Sequence, residues 1–424
     1  MTATIYFCQR TRERIHLIDT ERIAKGGEGE IFPVAGSDQL CAKILAPEKR
    51  TKNKIDKLQH MLTNKPFLGN SRSSHNPYAW PRDLLLENNF KVAGYLMPRI
   101  QGATLYAASH PVSRKEKLPN THWKEAIALA RNFAACVFGI HEAKYVVGDM
   151  QPSNFMVSTQ PGKSSLITAV DTDSYLMNNN TCDVAMPTYA APEVTVDGAC
   201  FSECTDLFAM AVIIYSLLMG GVHPFDVSDL EMHQHLCFGI RFRNKKTYMN
   251  PRAGLHYPSQ YSPELAVLPQ ELKTLFAAVF LGDRPEVRPT AKRWYEVLNS
   301  IHDHSDWQSC QSGNPLHQYV KNRPDESCPW CKMVKQGGSD LYPYSSPLQA
   351  TVGKKVTSII FDTLAKSSLY HKILKTGTIR WFHAGNSFGY IIPDEGGIDV
   401  RFHADPNDEL HNSTLESGKK LNIQ

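Results

Sequence analysis

Four side chains far apart in this 424-residue chain could act on one substrate: the ammonium of Lys43, the carboxamide of Asn154 and the carboxylates of Asp149 and Asp171. Carboxylate and amide oxygens suit a hard divalent cation, and an ammonium offsets the charge of phosphate oxygens. Asp149 and Asn154 stand five positions apart in Val146-Val-Gly-Asp149-Met-Gln-Pro-Ser-Asn154. An ordinary loop with an Asx turn has the same spacing, so this pair decides nothing by itself. Gly26, Gly27 and Gly29, in Ile23-Ala-Lys-Gly26-Gly27-Glu-Gly29-Glu-Ile31-Phe32, add a second signal. Without a Cβ, backbone N–H groups can approach phosphate oxygens closely, although a plain hairpin turn has a similar composition.

The elements that must position these groups are short and recognisable. Lys43 sits in Leu40-Cys-Ala-Lys43-Ile-Leu, where the strands after a glycine turn are expected, although a lone lysine there is also an ordinary solvated strand end. The apolar run Ile167-Thr-Ala-Val170 reads as a strand that delivers Asp171, and Thr205-Asp206-Leu-Phe-Ala-Met-Ala opens an apolar helix. The length of 424 residues predicts two or three domains with a large core, the 42% apolar and 21% charged residues are those of a globular protein, and the formal net charge is +4. So small a net charge neither demands nor excludes a nucleic-acid partner. The amino terminus, with Arg10, Arg12 and Arg14 after Met-Thr-Ala-Thr-Ile-Tyr-Phe-Cys, has no apolar signal region. The longest apolar run, Leu207 to Met219, is shorter than the roughly 20 residues of a membrane span, so a cytoplasmic protein without membrane association is expected.

Taken in order along the chain, these segments resemble a protein kinase over about residues 15–305. Gly26, Gly27, Gly29 and Ile31 lie in a Gly-rich loop like G-x-G-x-x-G-x-V, with Ala24 at its first glycine, and Lys43 takes the place of the phosphate-binding lysine. The Asp149–Asn154 segment resembles H-R-D-L-x-x-x-N, and Asp171-Thr172-Asp173 occupies the place of D-F-G. Ala191-Pro192-Glu193 matches A-P-E, Asp206 opens the αF-like helix, and Arg288 stands where a kinase pairs an arginine with the A-P-E glutamate. Tyr78-Ala-Trp-Pro, Gly94-Tyr-Leu-Met-Pro-Arg and Val170-Asp-Thr-Asp-Ser look like the variants of a divergent bacterial Ser/Thr kinase-like family.

That resemblance implies an α+β, two-lobed fold, with an N-lobe over 1–97 and a C-lobe over 98–305. It implies ATP and magnesium as cofactors and Asp149, Lys43, Asn154 and Asp171 as catalytic residues, Asn154 and Asp171 holding magnesium. If Met97 is the gatekeeper, Pro98 offers a carbonyl and Ile100 an N–H to adenine. A protein substrate is implied as partner, as are a metal-dependent protein phosphatase and a von Willebrand A-type protein.

Departures from the pattern bear on activity. Helix Arg50–Met61 contains no glutamate to hold Lys43, leaving Asp56 as the nearest acid and Gln59 as a neutral candidate. Gln151 replaces the catalytic-loop lysine, and Val147 and Gly148 replace the His-Arg pair, removing the usual clamp for an activation-loop phosphate. Two readings remain: an active Ser/Thr protein kinase, and a nucleotide-binding pseudokinase scaffold that regulates a partner or nucleic-acid binding.

Seven of the ten cysteines, Cys8, Cys41, Cys136, Cys182, Cys200, Cys204 and Cys237, are scattered without a disulfide framework. The others form C-x6-H-x10-C-x2-C from Cys310, His317, Cys328 and Cys331, a structural zinc knuckle within 306–335. A redox C-x-x-C is the alternative reading, and His302 and His304 are rivals to His317 as ligand. Residues 336–371 read as a linker in which Val356–Tyr370 could form one helix.

Residues 372–424 carry Gly377-Thr-Ile-Arg-Trp381-Phe382 and Ser387-Phe388-Gly389-Tyr390-Ile391, followed by Val400-Arg401-Phe402-His403. They resemble a cold-shock domain, a β-barrel of OB type, which implies single-stranded RNA or DNA contacted by Trp381, Phe388, Tyr390, Arg401 and His403. Arg401 stands in place of a family aromatic, and the family's barrel needs a further strand after Gln424, so a partial, truncated barrel is expected.

Overall fold

The computed structural model describes residues 3–66, 75–159, 165–177, 188–194, 201–224, 263–282, 284–321 and 327–344, with the strands at 375–383, 388–393, 400–403 and 420–423. The chain divides into two compact units, one formed by 1–248 and 256–343 and the other by 249–255 and 344–424.

Seven antiparallel strands open the first unit: β1 (Ala3–Cys8), β2 (Arg14–Ile18), β3 (Ala24–Gly26), β4 (Gly29–Val34), β5 (Ser37–Leu45), β6 (Asp83–Leu86) and β7 (Val92–Pro98). Their order is β2-β1-β6-β7-β5-β4-β3, and a further pairing of Leu17 with Val34 joins β2 to β4. Six strands therefore close into a barrel, with β3 outside it. Cys8, Ile15, Leu17, Val34, Ala42, Leu85 and Leu96, at least one from each of the six, form their own apolar cluster. Helix α1 (Lys52–Thr63) starts at Thr51, whose hydroxyl accepts from the Lys54 N–H at 3.3 Å. Its buried Leu58, Met61 and Leu62 join the main core of the unit.

Helices then dominate: α2 (Leu105–Ser109), α3 (Pro111–Lys117), α4 (Trp123–Glu142) and α5 (Glu203–Leu218), followed by Gln270–Phe280 and Ala291–His304. The run read as too short for a membrane span lies mostly in α5, which a Ser202/Thr205 capping box opens. Leu207–Tyr215 are all buried, as expected of a helix that is apolar on every side. Among the described residues no helix is long and apolar enough to cross a membrane.

Short strands punctuate this helical part. Strand β8 (Ala103–Thr104) precedes α2, β9 (Tyr145–Val146) follows α4, and β10 (Phe155–Ser158) pairs with β11 (Leu166–Ala169); β12 (Leu176–Met177) pairs with β9. Strands β13 (Trp307–Ser309) and β14 (Gln318–Val320) form a hairpin ahead of the short helix Pro329–Lys335. The architecture is α+β: a β-rich part, then a helical part.

In the second unit β15 (Lys375–His383), β16 (Phe388–Pro393), β17 (Val400–His403) and β18 (Lys420–Ile423) form an antiparallel sheet in the order β17-β16-β15-β18. Tyr390 stands opposite both Arg401 and Trp381, and Phe388 opposite both His403 and His383. Ladder positions are described for these six residues and their side chains are not, so base stacking lies outside the described residues. Barrel closure and the Val356–Tyr370 helix also lie outside them.

Candidate active site and metal centre

Two close backbone approaches hold the strand that carries Lys43. Gly26 pairs with Gly29 across a two-residue turn of Gly27 and Glu28. At Gly29, with φ +155°, a Cβ would lie 2.2 Å from the Ile44 carbonyl oxygen, so no side chain fits. Across β5, a Cβ on Gly94 of β7 would lie 2.1 Å from the Lys43 carbonyl oxygen. Nothing lies within 4 Å of a Cβ built at Gly26 or Gly27, leaving space beside the turn. Ile31 pairs with Lys43 across β4 and β5.

The Lys43 side chain is 7% exposed, and its Nζ lies 2.7 Å from Asp171 Oδ1, 2.8 Å from Asp173 Oδ1 and 3.6 Å from Glu28 Oε2. Asp173 is wholly buried and also accepts from the Tyr95 hydroxyl at 2.7 Å. Lys54 of α1 stands 2.8 Å from Asp173 Oδ2 and 2.8 Å from Glu28 Oε2, and donates to the Asp173 carbonyl at 3.1 Å. Here the expectation from sequence is corrected. Asp56 and Gln59 lie on the exposed side of α1, and the acid on Lys43 that a helix glutamate would supply comes from Asp173.

Electrostatics follows this geometry. Burial works against the charge on Lys43, but Asp173 and Asp171 outweigh it and raise its pKa. Burial opposes ionisation of Asp173 too, yet Lys43 and Lys54 hold its carboxyl well below the ordinary range. Partial desolvation raises the pKa of Asp171; Lys43 opposes that shift and the neighbouring Asp173 charge adds to it. Asp171 adopts a left-handed conformation with φ 56° and ψ 35°, uncommon for a residue with a Cβ, and a 3-10 turn over Thr172–Ser174 follows. The Ser174 hydroxyl donates to the Asp171 carbonyl at 2.8 Å. With the chain turned this way, residues 171 and 173 both reach one ammonium.

The Asp149 loop is anchored by its backbone. Asp206 of α5 accepts from the Val147 N–H at 2.7 Å and the Gly148 N–H at 3.0 Å, and its Oδ2 lies 3.0 Å from Nε2 of His141 on α4. Backbone donors do this work, so Val and Gly can stand where a kinase has His and Arg. Gln151 donates to Asp149 Oδ2 at 2.8 Å, and Asn154 donates to the Asp149 carbonyl at 3.3 Å. Because Phe155 pairs with Ala169, the β10–β11 hairpin sets Asn154 beside Val170, whose N–H donates to the Asn154 carbonyl at 2.8 Å. A shallow recess lies beside Asp149, lined among others by Tyr189, Ala191, Val194 and Phe201.

Met97 and Pro98 end β7 opposite Cys41 and Leu40, and Ile100 follows in the connection to β8. Burial pushes the Cys41 thiol up to about 11, and it donates to the Pro98 carbonyl at 3.6 Å. Further off, Arg288 forks onto Glu193, its second nitrogen 2.9 Å from Oε2, while it donates to the Cys204 carbonyl at 2.9 Å and lies 5.1 Å above the Phe208 ring.

The Cys310, His317, Cys328 and Cys331 ligand atoms all lie within 4.8 Å of one another. Cys331 Sγ is 3.4 Å from both Cys310 Sγ and His317 Nδ1, and Cys328 Sγ is 3.8 Å from that nitrogen. A zinc tetrahedron has edges of roughly 3.5–3.8 Å, so the donor set fits a closed zinc site. His302 instead faces Asp303 at 2.6 Å. Asp340 Oδ1 lies 2.9 Å from His317 Nε2, which turns Nδ1 toward the sulfurs. Between the two cysteines of the short helix, Trp330 is buried against Trp123 and Tyr342, with ring centroids 5.9 and 4.9 Å apart. Arg114 of α3 covers Tyr342 at 4.6 Å and donates to the Leu341 carbonyl at 2.7 Å. The metal centre is thus packed into the same unit as the helices.

Sequence reasoning missed Lys54, Glu28, Tyr95, His141 and Asp340. Asp173 was visible as a second acid two residues beyond Asp171, but its role depends on the left-handed turn. Asp340 follows His317 by 23 residues, a separation with no motif behind it.

No protein-family model matches the chain. It is 29% identical to protein kinase YegI of Escherichia coli strain K12 over 331 residues, 74% of this chain and 48% of that protein. The chain therefore spans about half the length of this relative. A 52-residue stretch, 12% of the chain, is 35% identical to the probable cold shock protein y4cH of Sinorhizobium fredii and covers 75% of it. The solved ROP18 kinase domain in complex with AMP-PNP and sucrose superposes with a TM-score of 0.47 and 14% identity over 71% of this chain and 85% of that one.

Proposed function

We propose that this chain, kinase-like and related to YegI over most of its length and belonging to the cold-shock family over a 52-residue stretch, transfers the γ-phosphoryl group of ATP to serine or threonine hydroxyls of a protein substrate. One observation carries the reading: Lys43 and Asp171, 128 positions apart, meet at 2.7 Å beside the glycine turn and the hairpin that holds Asn154. Phosphoryl transfer needs chiefly positioning and charge stabilisation, and the four groups that supply them are present.

Asp149 orients the attacking hydroxyl and accepts its proton. Lys43 offsets phosphate charge, and the N–H groups of the glycine turn face the phosphates. Asn154 and Asp171 would hold magnesium, which when bound neutralises charge on the phosphate oxygens. Met97, Pro98 and Ile100 border the adenine. Zinc at Cys310, His317, Cys328 and Cys331 is structural, because four protein ligands leave no position for water.

Incubation with labelled ATP, magnesium and a generic protein substrate tests the reading. Transfer that vanishes in Asp149→Ala supports it. Nucleotide-induced thermal stabilisation without transfer supports the pseudokinase scaffold, a reading favoured by Gln151, a neutral amide bonded to Asp149 where a kinase carries lysine. The cold-shock stretch, which we assign to residues 372–424, adds binding of single-stranded RNA or DNA.

A further inference from the structure

We propose that Asp173, fixed by Lys54 of α1, is the positioning carboxylate for Lys43, so that the helix beside the ATP site contributes a cation where a kinase contributes an anion. The inference rests on the nucleotide-binding reading above and identifies residues that act through Lys43.

Three observations converge on it. Asp173 Oδ1 is shared by Lys43 at 2.8 Å and Tyr95 at 2.7 Å, and the carboxylate is entirely enclosed. A buried carboxylate with one bare oxygen would be strongly unfavourable, and Lys54 stands 2.8 Å from the second oxygen. The helix cap places Lys54 there: Thr51 binds the Lys54 N–H and starts the helix so that this side chain reaches the site and Asp56 does not.

Lys54 has a second contact, Glu28 in the glycine turn, at 2.8 Å. The helix, the glycine turn and the Asp173 turn are thereby tied through one ammonium. Within the cluster two ammoniums face three carboxylates, Glu28, Asp171 and Asp173. Asp173 has no exposed surface, whereas the Asp171 side chain is 45% exposed. Asp173 is therefore the fixed anchor, and Asp171 is the acid able to turn to an incoming cation.

The test is titration calorimetry of the full chain with magnesium-ATP and, separately, with adenosine, which lacks phosphates. In Lys54→Met and Asp173→Asn, ATP affinity should fall about tenfold or more while adenosine affinity stays within about twofold, since only the phosphate contact of Lys43 is disturbed. Lys54→Arg, which keeps the cation, should retain ATP affinity, and Asp56→Ala should match wild type. Equal weakening of ATP and adenosine, or unchanged ATP affinity in Lys54→Met, overturns the proposal; should Asp173→Asn fail to fold, the Lys54 variants decide alone. Wild-type chain that binds no magnesium-ATP overturns the nucleotide-binding reading and this inference together. Binding without phosphoryl transfer refutes only the kinase activity.

Discussion

At Asp173 a single carboxylate satisfies two ammoniums and a phenol inside a closed pocket, and its behaviour with pH follows. Its folded-state pKa lies below the ordinary carboxylate value of about 3.9, so its ionised form contributes stability that is complete above that value and lost as pH falls through the folded pKa. Thermal denaturation of wild type and Asp173→Asn across the acidic range should show a constant gap above about pH 5 that narrows below about pH 4. A gap of constant size down to the acid transition would mean that Asp173 is not ionised in the folded chain. In the proposed function Asp149 has a different task, meeting the substrate hydroxyl. Asp149→Ala should slow transfer by about 10²–10⁴-fold, the range for loss of a positioned acid–base group, with magnesium-ATP binding retained in a parallel titration.

Elements matter here through what they hold together. The hairpin β13–β14 and the helix Pro329–Lys335 bring four metal-binding side chains to one point, and the same helix buries Trp330 on Trp123 of α4. Loss of metal should therefore be felt by the helical core as well as locally. One zinc per chain is expected by elemental analysis, and Cys328→Ser should remove it and lower the melting temperature of the first unit. Asp340→Asn should weaken zinc affinity by about 10–100-fold, the usual effect of losing the partner that orients a ligand histidine, measured by competition with a chromogenic chelator. The Glu193–Arg288 fork ties the segment at Ala191–Val194 to the start of α5 through the Cys204 carbonyl. Arg288→Ala should cost about 3 kcal/mol in urea unfolding, because it leaves Glu193 and a backbone acceptor without their cation.

The whole chain combines two units of different chemistry: one that gathers the Lys43 carboxylate cluster and the Cys310, His317, Cys328 and Cys331 donor set, and one whose antiparallel ladder aligns Trp381, Tyr390 and Arg401 on neighbouring strands. If residues 372–424 bind single strands by stacking, Phe388→Ala should lose about 1–3 kcal/mol of affinity for a single-stranded oligonucleotide in a gel shift, and binding should weaken as salt is raised. Affinity unchanged by Phe388→Ala would count against stacking at that residue.

Local spacing was sufficient wherever neighbours in sequence are neighbours in space. Asp149 with Asn154, the glycine turn, and Cys328 with Cys331 each belong to one loop or one helix start, so their proximity follows from spacing, while the chemistry expected of the first two came from motif order. The order of the motifs, read through family resemblance, carried the Glu193 and Arg288 positions and the kinase-like plan. Three things were decided only in the folded molecule: closure of the six-stranded barrel, the packing of the metal centre on Trp123, and the choice of Asp173 and Lys54 over Asp56 as the companions of Lys43. Barrel closure depends on a single pairing between Leu17 and Val34 that no strand's own alternation encodes. The choice of counter-ion depends on which face a helix cap turns inward and on one left-handed residue at 171, and Coulomb attraction is settled by those distances in space, whatever the separation along the chain.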